Sequence, residues 1–457
     1  MIKRVSFGAL ILVLVAGVIG VWSAQTELPK YRGAFLYAFG PYEFVRSIQD
    51  FSGQRETDGG RFSAEAISEA AGESAGGVLL NREIHNSRLA DHTLRAVTTP
   101  NADTLYTSAV LELSQTPVEL ILPDVGERYV SVAFMDVFTD QFAHIGPRET
   151  GGESSVYWIL GPQDTTPVPD GVGTIRATGN DVWLLARIFV SGQSDLDSAR
   201  SAQNGIRVRP VFPDRTPIPF TTRVTDIDDS KNFMAVVGEA LARNPDHPQS
   251  ARVEEFSKIK RGVDARYSPI ERLFWSLVTP RAEAAITEQV NEQLAAQLDW
   301  SAPPVNIGYY QDDDLLRSAI ALIGFGALRR EDAMYYRMIR TSDGADLRGE
   351  KSYQMTLPSD VPAQAFWSIA IYKPDETGRF FFYENPTGRH ALNSGSEGLA
   401  VETDGSIVLH IAPDAPEDKA TNWLPTPDGR FAAFFRLYLP TDEAVQSGWV
   451  PPEMVER

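Results

Sequence analysis

Cysteine is absent from the 457 residues. Its absence removes disulfides, thiol catalysis, thiolate metal sites and lipoprotein anchoring together. Histidine is sparse: the six stand at 85, 92, 144, 247, 390 and 410, and none pair at the i, i+4 spacing of a zinc-binding helix. A zinc hydrolase is therefore disfavoured, and neither metal nor cofactor is expected. Positive charge is also short, with 42 Lys and Arg against 61 Asp and Glu and a net charge of −19. Without a basic footprint, nucleic acid and anionic membrane surfaces are not expected partners. No Gly-x-Ser-x-Gly elbow stands among the strand-forming motifs, and nucleophilic serine chemistry loses its usual frame.

What is present is a globular composition, 43% hydrophobic and 23% charged, enough for a large core. The aromatic share of 10%, with 35 Gly and 30 Pro, leans towards strands joined by many turns. At the N-terminus Lys3 and Arg4 precede an uncharged apolar run from Ser6 to Ala24, the pattern of an export signal. Two readings of residues 1–24 stand. A cleaved signal fits a cut after Gly20 or Ser23, whereas a retained anchor fits a run just long enough to span a bilayer, about 20 residues. Either places the rest of the chain in the periplasm or cell envelope, touching the membrane only through this segment.

A helix is expected over Arg32–Asp50, interrupted at Gly40-Pro41, then a loop or weak helix around Ala64–Ala71. Short strands follow at Val118–Leu122, Tyr129–Asp136, Phe142–Ile145, Ser155–Leu160, Gly173–Ala177 and Val182–Val190. Helical spacing takes over at Asp229–Arg243, Ala251–Tyr267, Arg281–Leu298 and Asp313–Leu328, punctuated by Pro245, Pro248, Pro269 and Pro280. Strands resume at Met334–Arg340 and run to Phe431–Leu439. The fold class is mainly β with a helical segment (α+β), as two β-sandwich-like domains. The boundaries are 32–225, a helical part at 226–330, and 331–457.

The two β-rich parts echo each other. Leu122-Pro123 leads to Tyr129-Val130-Ser131-Val132, as Leu357-Pro358 leads to Phe366-Trp367-Ser368-Ile369. Near each end, an apolar strand carries one arginine, Arg187 and Arg436. This order suggests duplication of one β unit. A buried arginine needs a partner, so each is either a structural brace or a ligand-binding group.

The chemistry concentrates in Pro100-Asn101-Ala102-Asp103-Thr104, just before Tyr106. Such residues hold irregular turns by local hydrogen bonds, and the same groups can address a ligand. Asp103 with Asp136 or Asp140, or Asp103 with His144, supplies a candidate acid–base couple. Asn101, Thr104, Tyr106, Arg187, Trp367 and Arg436 are candidate binding residues. Calcium needs six or more oxygens, and no dedicated acidic loop offers them.

Pro100-Asn101-Ala102-Asp103-Thr104-Leu105-Tyr106-Thr107, continued by Phe142-Ala143-His144-Ile145-Gly146, resembles the signature of domain of unknown function 1254. Phe366-Trp367-Ser368-Ile369, Asn422-Trp423-Leu424-Pro425, Arg436-Leu437-Tyr438 and Gly448-Trp449-Val450-Pro451-Pro452 resemble its usual companion, domain of unknown function 1214. The chain departs at Ala102, where the first signature usually has a second Asn. The resemblance implies a two-domain, β-rich, often exported bacterial protein and implies no reaction. The expectation is an envelope protein that binds or acts on a small neutral or weakly polar ligand, glycan or lipid-like. The alternative is a non-catalytic structural or interaction protein. Catalysis and oligomeric state stay open.

Overall fold

The computed structural model describes residues 25–53, 78–95, 98–292, 299–376, 378–385, 387–417 and 421–457, with helical backbone also at 7–24, 293–295 and 420. Of the N-terminal export segment only the helical backbone from residue 7 is described, and the expected weak helix around Ala64–Ala71 lies outside the described residues. Among the described residues, no helix is long and apolar enough to cross a membrane.

The first β unit comprises β1 (Ile84–Asn86), β2 (Thr104–Glu112), β3 (Val118–Leu122), β4 (Val130–Asp136), β5 (Gln141–Ile145), β6 (Ser155–Leu160), β7 (Gly173–Arg176), β8 (Asp181–Phe189) and β9 (Arg207–Pro210). The second comprises β10 (Ala333–Met338), β11 (Tyr353–Leu357), β12 (Ala363–Pro374), β13 (Phe380–Phe381), β14 (Ala391–Asn393), β15 (Ile407–Ala412), β16 (Trp423–Pro425), β17 (Ala432–Pro440) and β18 (Val455–Glu456). Each unit is a larger sheet facing a four-stranded one. The larger sheets run β1-β2-β8-β4-β5 and β10-β17-β12, with β14 and β13 both on β12; the smaller run β7-β6-β3-β9 and β16-β15-β11-β18.

The two units have the same topology. β2, β3, β4, β5, β6, β7, β8 and β9 correspond in chain order to β10, β11, β12, β14, β15, β16, β17 and β18. Even the parallel pair is repeated, β6 with β7 and β15 with β16. A helix sits between the last two strands of each unit, Leu196–Gly205 and Asp442–Ser447. The echo legible in the sequence is thus a repeated fold.

Strand alternation sorts the side chains. In the first unit Leu105, Leu111, Val132, Phe134, Leu184, Ala186 and Ile188 pack inward against Val118, Leu120 and Ile159. In the second, Met334, Trp367, Ile369, Phe435 and Leu437 pack against Met355, Leu409 and Ile411. The outer faces of the larger sheets are buried as well. That of the first unit is covered by two things, a helical layer and the second unit.

The helical layer consists of α1 (Phe7–Phe51), α2 (Ser230–Arg243), α3 (Pro269–Ala295) and α4 (Asp314–Ile323). Apolar residues at 31, 34, 35, 38, 42 and 45 line one face of α1, and from Tyr37 to Val45 the helix is buried on every side. Together with Phe233, Trp275 and Ala321 this face forms a core over Val110, Met135, Trp183 and Leu185. Asp229 caps α2, accepting from the Lys231 and Asn232 amides. Two expectations change here. Helix α1 runs unbroken through Gly40-Pro41, because Gly40 lies against α4: a Cβ there would stand 2.8 Å from Arg317 Cδ. Helix α3 starts at Pro269, where a missing N–H costs nothing, and continues through Pro280; residues 251–267 form turns instead.

Candidate functional site

The outer faces of the two larger sheets meet through Tyr129, Ala133, Phe366 and Tyr438. Phe366 stacks on Tyr438 with ring centroids 4.1 Å apart, and Tyr129 lies 5.6 Å from Tyr438. Around this aromatic contact the repeated fold brings two equivalent rows together. In the first unit Arg187 stands directly between Tyr106 on β2 and Ser131 on β4. In the second, Arg436 stands between Tyr335 on β10 and Ser368 on β12. The two Tyr–Arg–Ser rows face a shared interior.

Both guanidiniums are buried, 5% exposed at Arg187 and 4% at Arg436. Arg187 Nη2 donates to the Gly326 carbonyl at 2.7 Å, its cation lies 5.9 Å from the Tyr106 ring centre, and Nη1 has no hydrogen-bond partner. Arg436 Nη2 donates to Tyr372 Oη at 2.6 Å and to the Thr99 carbonyl at 3.3 Å, and its Nη1 is likewise unpartnered. Neither forms an ion pair among the described residues. An unpaired buried cation costs several kcal/mol after relaxation. One hydrogen bond to a charged group returns about 1.5–3 kcal/mol, and a ring near the 6 Å limit returns little more. Asp103 offsets part of the charge at Arg436, whereas the groups acting on Arg187 are neutral phenols.

The Pro100–Thr104 loop crosses from the first unit onto the second. Asn101 Oδ1 accepts from the Asp103 amide at 2.7 Å, an Asx turn, while its Nδ2 donates to Tyr438 Oη at 2.6 Å. Tyr372 Oη donates to the Pro100 carbonyl at 2.5 Å. Ala102 packs beside Tyr372 and Phe382, where its methyl suits an apolar neighbourhood. The Asp103 side chain takes no part in its own turn. Its Oδ1 accepts from Asn393 Nδ2 at 2.8 Å and its Oδ2 is buried without a partner. Burial pushes its pKa above the ordinary carboxylate value, against the opposing pull of Asn393, Arg436 and the nearby Ser368 hydroxyl. Thr104 is fully buried with an unpartnered hydroxyl.

The phenols complete the lining. Burial raises the pKa of Tyr129, Tyr335 and Tyr438, and that of Tyr372 to about 12. All four are neutral at ordinary pH and offer dipoles rather than charge. Tyr106 and Tyr335 alone in the two rows are half-buried and keep accessible surface. The turn after α4 forms a third wall through Gly326 and Leu328.

Asn101, Asp103, Thr104, Tyr106, Arg187 and Arg436 therefore converge. Three other expected residues lie elsewhere or at the rim. Trp367 points into the second sandwich core, stacked on Phe435 on the face opposite Arg436. Asp136, at the far end of β4, is a structural acceptor: Oδ1 takes the Phe138 and Asp140 amides, and Oδ2 takes Thr178 and His247 Nε2 at 2.7 Å. His144 borders the cluster through Arg187. Burial, then Arg187, Arg148 and Arg329, depress its pKa to about 3, so the ring is neutral. Asp332 Oδ1 lies 3.2 Å from its Nδ1, yet that carboxylate is already engaged by Arg148 at 2.5 Å. Tyr335, Tyr372, Tyr438 and Asn393 were not anticipated. Tyr335 could have been found by extending the repeat from Tyr106; Asn393 had no sequence signal.

Among the described residues, no group of three or more His, Cys, Asp or Glu is placed to hold a metal ion. What the arrangement can do is orient a small polar molecule between two cations, several neutral phenols and one carboxyl of raised pKa.

Comparison with known proteins gives a similar fold and two family matches. Over 94% of this chain and 100% of the other, the fold is similar to the crystal structure of the VPA0106 protein from Vibrio parahaemolyticus, with a TM-score of 0.69 at 20% identity. A crystal structure of an uncharacterised protein from Burkholderia cenocepacia is similar at a TM-score of 0.47 and 13% identity, covering 95% of each chain. No curated protein matches. Residues 80–210 match the family described as Protein of unknown function (DUF1254), and residues 332–442 match Protein of unknown function (DUF1214). The chain thus carries a DUF1254 match followed by a DUF1214 match; the first spans the first copy of the repeated β unit, and the second spans the other copy from β10 through β17.

Proposed function

We propose that this chain is an exported envelope protein that binds a small molecule between the facing outer sheets of its two β units. One observation carries the reading. Asp103, Arg187 and Arg436 converge from both units, each at least nine-tenths buried and each with a polar atom unused, beside two half-buried tyrosines. Buried polar atoms in native proteins are nearly always satisfied, so a cluster of exceptions supports a missing partner. The interface between two domains is also a place where ligands commonly bind. The envelope location rests on Lys3, Arg4 and the apolar run Ser6–Ala24.

Thermal-shift screening of the purified chain against envelope lipids, glycans and metal ions tests the binding. A ligand that prefers the folded state raises the melting temperature, and Asp103→Asn or Tyr106→Phe should reduce the shift. A flat screen would favour the alternative, a structural or interaction protein in which Asn101 and Asn393 simply bolt the units together. For location, a reporter fused after Arg457 should be active only outside the cytoplasm and lose that activity when residues 1–24 are deleted.

A further inference from the structure

We propose that the ligand of this site carries an oxyanion, a carboxylate or a phosphate, held by Arg187 and Arg436 together. This rests on the binding reading above and replaces the neutral ligand expected from the sequence with an anionic one. The two guanidiniums occupy equivalent positions in the repeat and face the same interior from opposite sheets. Each spends one nitrogen on a carbonyl or phenol and leaves Nη1 unpartnered, and neither meets a carboxylate in an ion pair among the described residues. Tyr335 and Tyr438 stand within electrostatic reach of both cations, which places the two charges around one space.

Among the described residues the carboxyl that acts on Arg436 is Asp103, and its Oδ1 is committed to Asn393. Two permanent cations against one carboxyl leave a positive remainder, so an anion completes the site where a neutral sugar or amide would not. Arginine's fork of donors matches the planar carboxylate and the phosphate alike. The phenol groups of Tyr106 and Tyr335 add neutral donors.

The test is calorimetric binding and melting-temperature shift on the full chain at matched ionic strength. The anionic probes are benzoate, decanoate and inorganic phosphate, and the neutral ones are benzamide and decanamide. At least one anion should bind tenfold or more tightly than its neutral counterpart, equivalent to 1.4 kcal/mol; phosphate alone responding would identify the tetrahedral source. Arg187→Met and Arg436→Met should each abolish the preference while the unliganded melting temperature holds or rises. Where a Met variant does not fold, Arg→Gln, which can still donate to Gly326 or Tyr372, carries the same expectation. If the amides bind as tightly as the anions and the arginine variants retain them, the anion assignment falls while binding between the units stands. If none of the five probes responds and both Arg→Gln variants lose stability, the arginines are braces and both readings fall.

Discussion

Asp103 separates a ligand-facing carboxyl from a turn brace, because the structure divides those roles between neighbours. The turn belongs to Asn101, whose Oδ1 takes the Asp103 amide. Asp103 itself contributes one buried acceptor to Asn393 and leaves Oδ2 without a well-formed hydrogen bond, near the Ser368 hydroxyl. Asp103→Asn preserves the shape and can still present an oxygen to Asn393. It loses attraction to Arg436 but also removes a charge that burial disfavours, so stability should stay within about 1 kcal/mol of wild type. Asp103→Ala leaves the Asn393 amide only its longer bonds to the Val190 and Ser191 carbonyls and should cost about 1–3 kcal/mol. Asn101→Ala breaks two buried bonds, to the Asp103 amide and to Tyr438, and should cost most, about 2–4 kcal/mol.

The pH dependence gives a second check with a definite sign. A carboxyl whose folded pKa is raised binds more protons folded than unfolded, so its contribution is fully present below the unfolded value near 3.8. That contribution is lost as pH rises through the folded value. Asp103→Asn cannot ionise, so its stability relative to wild type should improve as pH rises across that window. Denaturation midpoints of the three variants over a pH series measure both effects. The reasoning is refuted if Asp103→Asn is as damaging as Asp103→Ala, or if Asn101→Ala is the mildest of the three.

Two further substitutions probe the residues beside the cluster. Asp136→Ala should cost about 3–5 kcal/mol by breaking a buried charged network with His247 and Thr178, yet the folded fraction should keep wild-type ligand response in the thermal-shift assay. His144 has a folded pKa depressed to about 3, so its contribution is present above the unfolded 6.5 and lost as pH falls towards 3; His144→Gln should flatten that acid loss in a melting-temperature series from pH 7 to 4.

How far the sequence revealed this depended on the kind of interaction. Strands were legible because alternation and turn residues act locally: Val118–Leu122, Ser155–Leu160 and Tyr353–Leu357 stand where expected. The equivalence of Arg187 and Arg436 was legible because a repeat preserves order even when spacing drifts. Pro41 and Pro280 misled, because packing over a long apolar stripe outweighs one missing hydrogen bond. Trp367 misled for a different reason. Register decides which face a side chain takes, and Trp367 sits one residue from Ser368, so it falls on the core side. Asn393 could not be read at all, since its contact with Asp103 spans 290 residues and depends on how two sheets dock.

The docking itself bears on function. In either unit alone, the Tyr–Arg–Ser row lies on the outer face of the larger sheet, where water would solvate its arginine without penalty. Facing the rows together removes that water from both cations at once. A purely structural interface has two inexpensive solutions: a carboxylate opposite each arginine, or apolar residues in both places, which often stabilise more than a buried ion pair does. This interface adopts neither. It sets two like charges in facing rows, spends each on a single neutral acceptor or two, and leaves Tyr106 and Tyr335 less deeply buried beside them. An arrangement that costs stability when empty, yet matches the donor geometry of an incoming acid group, is more economically explained by what binds there than by what holds the fold.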